Sequence, residues 1–444
     1  MLTSSEAANM LGISARRVLE LVKTGTLEGQ RHGGVWLITE ESVKRRLQTA
    51  GARRGRPTLG NGRNDVRLTL MNRTHEIAEV IYNKSRREFV SIGELGDKSR
   101  APVGLVKNGA IALRDFNAWW KNRGIPGTRE GLERLLFEAG ADVPEELLWR
   151  NLGLSLSDQY WINPLDGQLN WSDINFFANG WGEISDAIAP YTAGAPGAAH
   201  PDNTSDGNLR KRWVERGGTQ VLQKFGSHNN QEPYNEVVAS ALHARLLPAG
   251  NFVSYALSEA GNSPICECRN FLSDEEEFVP ALYVNRILPE SPNMNDFQHY
   301  VACCEKLGAE DAALALSKMI VCDDVIANHD RHWRNFGLVR NVETLECRPA
   351  PLFDSGSSLW CDKGLDALMA RDFRFDAKPF YSSPARQLLL VEDFSWANPA
   401  ALEGFVEEAI GVLGGNPLLS ERLPFLQMAL ERRVARMAEI IEWG

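Results

Sequence analysis

Apolar residues recur at helical spacing twice within the first 23 positions, then give way to strand-like alternation. Leu2-Thr3-Ser4-Ser5-Glu6-Ala7-Ala8 sets small polar capping residues before a short helix carrying Ala7, Ala8 and Leu11. Gly12 supplies a turn. Ser14 then caps a second helix that buries Val18, Leu19 and Val22 and turns Arg16, Arg17 and Lys23 outward. The stretch 27–39, with His32-Gly33-Gly34 between two polar–apolar runs, predicts a hairpin, and a third helix is expected from about Glu40 to Leu47. Residues 67–200 alternate helical patterns with turns marked by Gly and Pro. One helical stretch carries Phe116, Trp119, Trp120 and Arg123 and closes near Gly124-Ile125-Pro126. The aromatic-dense runs 153–161 and 171–177 lack neighbouring basic residues, so they read as core and not as base-stacking platforms. Beyond residue 200 the pattern predicts a strand over 219–224 and a helix opening at Glu232-Pro233. It continues with a helix from about 310 to 326, a strand over 336–340, and a helix from about 419 to 441 that places Leu423, Phe425, Leu426, Met428 and Leu430 in the core.

Composition narrows the class. With 43% hydrophobic and 24% charged residues over 444 positions, the chain has the make-up of an ordinary globular protein. No run approaches the roughly 18 apolar residues of a membrane span, and the start lacks the basic and apolar regions of a secretory signal. A cytoplasmic protein with no membrane partner is expected. The seven cysteines are an odd number without zinc-site spacing, so they read as reduced core thiols. Charge is divided unevenly. The whole chain carries −10, but residues 1–67 hold 12 Lys+Arg against 6 Asp+Glu, leaving 36 against 52 for the rest. A +6 head on a −16 body suits a polyanion only at the head, unless the body gathers positive charge in a pocket.

Two short helices around a glycine turn, followed by a hairpin, resemble the winged helix-turn-helix of the excisionase and MerR-like family. The resemblance implies that the second helix enters the major groove of DNA. It makes Ser14, Arg16 and Arg17 the candidate groove contacts and Arg31 a contact from the wing. Next comes Arg53-Arg54-Gly55-Arg56-Pro57, which resembles an AT-hook. Arg54 and Arg56 would then lie in a narrow minor groove. The same residues also suit a plain basic linker. The expected divisions are a DNA-binding domain over 1–50, a linker over 51–66 and an accessory region over 67–200.

The sharpest chemistry lies in Asn328-His329-Asp330-Arg331-His332-Trp333-Arg334-Asn335-Phe336-Gly337, followed by Pro351-Leu352-Phe353-Asp354-Ser355-Gly356. An Asp, an Asn five positions later and a second Asp on a further strand are the spacing that protein kinases use. Phosphoryl transfer needs a carboxylate near the attacking hydroxyl and oxygen ligands that hold Mg²⁺ against the phosphates. Asp330 is the candidate base. Asn335 and Asp354 are the candidate metal ligands. Lys224 ends the strand 219–224, and Glu236 follows in the next helix, which is how kinases clamp nucleotide phosphates. The small-residue loop 202–211 could cover those phosphates, with Ser205, Gly207 and Lys211 as contacts.

This ordered set resembles the HipA-like serine/threonine kinases of bacterial toxin–antitoxin systems over roughly residues 200–444. The resemblance implies an α+β, bilobal kinase-like fold, with an N-lobe over about 201–285 and a largely helical C-lobe over about 286–444. It implies ATP and Mg²⁺ as cofactors, His332 as a brace of the catalytic loop, and an adenine hinge around Glu267–Phe271. It makes Thr204 and Ser205 the candidates for autophosphorylation, on a loop reading Thr-Ser-Asp-Gly-Asn-Leu-Arg-Lys where many relatives have Gly-x-Gln-Pro-Lys. The protein substrate would be a translation component such as an aminoacyl-tRNA synthetase. Fusion of the DNA-binding head to the kinase implies autoregulation at an operator, and palindromic operators fit a homodimer. The competing reading is a transcription regulator whose kinase-like body is a silent ligand sensor. A small-molecule phosphotransferase would use the same Asp and Asn chemistry.

Overall fold

The first helix begins where the sequence supplies its own cap. In the computed structural model Glu6 Oε2 accepts from Thr3 N at 2.8 Å, and Thr3 Oγ1 accepts from Glu6 N at 3.3 Å. This reciprocal box satisfies two amides that the helix Ser4–Leu11 would leave open. The structure describes all residues except 12–14, 24–26, 33–34, 45–63, 166–168, 193–197, 262 and 444. The chain divides into two units, residues 1–65 and 66–444.

In the first unit, helices Ser4–Leu11 and Ala15–Lys23 pack on a three-stranded sheet. Its central strand Val35–Ile38 pairs with Leu2–Thr3 on one side and Gly29–His32 on the other, both antiparallel. Ala7, Ala8, Val18, Leu21, Leu27, Ile38 and Val43 form its core. Leu21, not Leu19, shares the inward face with Val18, because residues three apart stack on one side of a helix. The expected third helix is present over 40–44; its continuation to Leu47 falls outside the described residues.

The second unit contains three main sheets. In the first, strands run in the order Glu88–Ile92, His75–Asn83, Asp65–Asn72, Tyr160–Pro164. The aromatics of this region are core: Phe89, Phe116, Trp119, Trp120 and Trp161 are all buried. The second sheet is antiparallel, in the order Lys211–Arg216, Thr219–Phe225, Ser263–Arg269, Ala256–Ala260. Helix Gln231–Leu246 leaves it and is buried along most of its length. The third sheet joins Glu276–Pro280, Gly337–Asn341 and Cys347–Pro349. Gly337 sits opposite Pro280 so closely that a Cβ there would lie 2.1 Å from Val279 O, which excludes every other residue. The helices that follow include Asp296–Lys306, Ala312–Val325, Phe405–Gly414 and Leu423–Trp443.

Residues 66–200 do not form a body with its own core. One apolar cluster runs from Leu68 through Trp161 and Val238 to Ile441. A buried polar network also ties this region to the third sheet. Arg340 Nε donates to Glu277 Oε1 at 2.8 Å, Arg340 Nη2 to Tyr160 Oη at 2.8 Å and Arg340 Nη1 to Ser99 O at 3.1 Å. Asn72 Nδ2 donates to the other Glu277 oxygen at 3.2 Å. Arg340→Met would strand a carboxylate in this interior, and removing one partner of a buried pair costs about 3–5 kcal/mol. Urea unfolding at pH 8 is expected to show that loss. The deficit should narrow as pH falls, because a stranded Glu277 has a raised folded-state pKa and its protonation removes the buried charge.

Candidate active site

Strand Thr219–Phe225 alternates its side chains, which carries Lys224 to the buried face of the second sheet. Its Nζ donates to Glu236 Oε1 and to Asp354 Oδ1. Glu236 stands on the buried helix Gln231–Leu246, and its second oxygen accepts from Ser355 N at 3.0 Å. Asn235 on the same helix donates to the carbonyls of Gly356 and Ser358, each at 2.8 Å. The segment carrying Asp354 is therefore fixed by the helix that carries Glu236. Burial alone would pull the Lys224 ammonium down, but Asp354 and Glu236 outweigh it and hold it above its ordinary value. Burial likewise pushes against ionised Asp354, yet Lys224 and Lys211 hold that carboxyl well below the usual range. Asp354 also takes a left-handed φ of 59°.

Helix Ala312–Val325 leads into the loop 328–335 through Ala327, at φ 52°. Inside this loop the fully buried Arg331 is the organising residue. It forks onto Asp323, with Nε to Oδ2 at 2.8 Å and Nη2 to Oδ1 at 3.0 Å. It then donates to Asn335 O at 2.9 Å, Phe353 O at 2.6 Å and Ser355 Oγ at 3.0 Å. One guanidinium thus links the loop of Asp330 and Asn335 to the loop of Asp354. His332, expected to brace the loop, bonds within it: its Nδ1 accepts from Arg334 N at 3.3 Å, its N donates to Asp330 O and its O accepts from Asn335 N, both at 2.8 Å. The signal for Arg331 was present in the sequence. Asp323 and Asp324 end an apolar run, Met319-Ile320-Val321-Cys322, and a buried carboxylate demands a cation nearby.

A cavity of about 210 Å³ opens between the second and third sheets. Asn335, Asp354, Lys224 and Lys211 line one part of it, and Thr204, Ser205, Asp206 and Gly207 close over that part. Gly207 takes φ +101°, a conformation that favours glycine, and lies against the end of the Lys211 side chain. Burial lowers Lys211 to about 8, with Asp354 working against the shift. Thr204 and Ser205 are each 5% exposed, and their hydroxyls are turned inward. Thr204 Oγ1 donates to Leu154 O at 3.2 Å and Ser205 Oγ to Asp202 O at 2.8 Å. The apolar part of the wall includes Leu222, Val253, Tyr255, Phe353 and the run Cys268–Leu272. Phe271 is in the wall. Glu267 is not, and this corrects the expectation: its carboxylate pairs with Arg216 at 2.6 and 2.7 Å on the opposite face of the strand.

Asp330 lies outside the cavity wall, 39% exposed at the side chain, and its Oδ1 accepts from Lys378 Nζ at 2.9 Å. Asn335 Nδ2 donates to Asp330 O at 3.1 Å, which leaves the Asn335 side-chain oxygen for a cation. That oxygen and the Asp354 carboxylate are the hard donors suited to a divalent ion beside the two lysines. In the first unit, Arg31 is exposed on strand Gly29–His32. Ser14, Arg54 and Arg56 lie outside the described residues, as do the side chains of Arg16 and Arg17.

Residues 1–51 match the helix-turn-helix domain family. A stretch of 130 residues is 27% identical to the serine/threonine-protein kinase CtkA of Helicobacter pylori, covering 26% of this chain and 40% of that protein. The chain thus spans two fifths of the curated relative it matches. The crystal structure of the H. pylori proinflammatory kinase CtkA aligns over 53% of this chain and 94% of its own, at 16% identity and a TM-score of 0.42. A Shewanella oneidensis toxin–antitoxin complex of HipA, HipB and operator DNA aligns over 83% and 97%, at 14% identity and a TM-score of 0.48. The chain thus matches a helix-turn-helix domain at its start and carries a stretch similar in sequence to the kinase CtkA. Among the described residues, no helix is long and apolar enough to cross a membrane.

Arg331→Lys keeps the charge but cannot span the fork to Asp323 together with two carbonyls and a hydroxyl. With several buried acceptors left unpaired, the variant is expected to lose about 2–4 kcal/mol in urea unfolding.

Proposed function

We propose that residues 66–444 act as an ATP- and Mg²⁺-dependent serine/threonine protein kinase of the HipA-like toxin type, and that the head binds operator DNA to regulate its own gene. The observation that carries this reading is the Lys224 ammonium shared between Glu236 and Asp354 at the wall of a cavity that Asn335 also lines. Lys224 and Lys211 draw the phosphates of ATP into the cavity, under the loop 204–207. Asn335 and Asp354 supply the oxygens that would hold Mg²⁺, which when bound neutralises charge developing on the phosphates. Asp330, exposed beside this wall, takes the proton of a substrate hydroxyl as that oxygen bonds to the γ-phosphorus and ADP leaves with the electrons of the broken P–O bond. The substrate is a protein of the translation apparatus, such as an aminoacyl-tRNA synthetase, and the enzyme also phosphorylates itself. Thr204 and Ser205 are the sites of that second reaction once the loop has turned its hydroxyls outward.

The head would place helix Ala15–Lys23 in the major groove, with Ser14, Arg16 and Arg17 as groove contacts, the two arginines neutralising the phosphates that flank it, and Arg31 as a contact from the wing. Arg54 and Arg56 would add minor-groove or backbone contacts. A homodimer would present two heads to a palindromic operator.

Radiolabelled ATP tests the body. Label is expected on wild-type protein and on an added substrate, and on neither with Asp330→Gln or Asp354→Asn. No label on any of the three, with ATP binding intact, would instead mean a ligand sensor. For the head, Arg16→Ala with Arg17→Ala should reduce the magnitude of the slope of log K against log salt by about 2, since each phosphate contact contributes about 0.9. An unchanged slope measured by fluorescence anisotropy would remove those arginines from the interface.

A further inference from the structure

Arg129 belongs to a region, 66–200, that the phosphoryl-transfer reading leaves without a task. It sits in a turn where its own N–H donates to Pro126 O at 3.0 Å, and the residue is only 5% exposed. All three arms of its guanidinium are spent on the loop above the cavity. Nε donates to Gly207 O at 2.8 Å, Nη1 to Ser205 Oγ at 2.9 Å and Nη2 to Ser205 O at 2.6 Å. The residues beside it reach the same loop. Thr128 Oγ1 donates to Asn208 Oδ1 at 2.7 Å, and Glu130 N to Asn208 O at 2.8 Å.

Five bonds from three consecutive residues thus fall on positions 205, 207 and 208. From the other side Arg334 Nε donates to Asp206 Oδ2 at 2.9 Å, so the loop is held between two arginines. The bonding partners of Arg129 are all neutral, which is an expensive setting for a cation. Burial pulls it down to about 10, and Asp206 and Asp202 offset only part of that. A guanidinium kept charged there serves two ends. Its fork fixes the two carbonyls and the hydroxyl of the loop in one arrangement. Its charge, poorly screened at that depth, adds positive potential beneath a loop that lines the cavity.

We infer that Arg129, with Thr128 and Glu130, is the positioning element that holds the 205–208 loop ready to receive nucleotide phosphates, so that the 66–200 region is part of the nucleotide site. This rests on the reading of the cavity as a nucleotide site. Arg129 acts through the loop, since the cavity wall contains Ser205 and Gly207 but not Arg129 itself.

The test compares ligands that share the base but differ in phosphates. Calorimetry would measure MgATP and adenosine binding to the full chain as wild type, Arg129→Gln and Arg129→Lys. For Arg129→Gln the MgATP Kd is expected to rise about tenfold or more, the equivalent of one or two lost charge-assisted bonds. Adenosine should bind within a factor of about two of wild type, which also reports that the variant is folded. Arg129→Lys, which keeps the charge and loses the fork, should fall between. Equal weakening of both ligands, or no change in either, would overturn the positioning role while leaving the nucleotide reading intact. Wild-type protein that binds neither ligand would overturn the nucleotide reading itself, and this inference with it.

Discussion

A single fully buried cation makes two distant loops into one wall. Arg331 has no solvent to share its charge, so it must sit against Asp323, and that pairing sets the direction of its remaining donors. Those donors reach the carbonyls of Asn335 and Phe353, and the residue after Phe353 is Asp354. Without this fork, the loop 328–335 would lose its bonds to Phe353 and Ser355, and the backbone bond from His329 N to Ser357 O at 3.1 Å would be left to set the register. Lys224 then acts on a carboxylate whose backbone is already placed. The contacts run from a helix end, through a buried ion pair, to a carboxylate whose ionised form two lysines sustain.

The charge map of the body looks different once the fold is known. A surplus of acidic residues argues against a phosphate ligand when averaged over the chain. Yet Lys211, Lys224, Arg129 and Arg334 all meet around one loop and one cavity. Local geometry, not net charge, decides what the cavity attracts.

What could be read from the sequence was whatever depended on residue type and short spacing. Asp330, Asn335, Asp354, Lys224 and Glu236 stood out because few chemistries need that order. The wing, the cap of the first helix and the aromatic core followed from pattern. One misplacement was one residue wide. Glu267 was expected where Cys268 lines the wall, and a strand sends such neighbours to opposite faces. Arg331 was passed over, because in an irregular loop no period says which side chain turns inward. Arg129 was invisible for another reason. It meets its loop across 76 to 78 positions, and nothing local in the turn 126–131 marks it as a partner of Ser205 and Gly207. The aromatics of 67–200 announced a core, but not that the core was shared with the rest of the body.

Helix Gln231–Leu246 has 12 of its 16 residues buried, and its polar members are committed to the backbone of 355–359. An element enclosed on every side makes a poor lever. Swinging it away would expose apolar surface and break several interior hydrogen bonds at once, which no modest signal could drive. Any on–off control of this site must therefore act on a thinner part of the molecule. The strip of small residues roofing the cavity is such a part, because hydrogen bonds from a few side chains hold it in place of enclosure on every side.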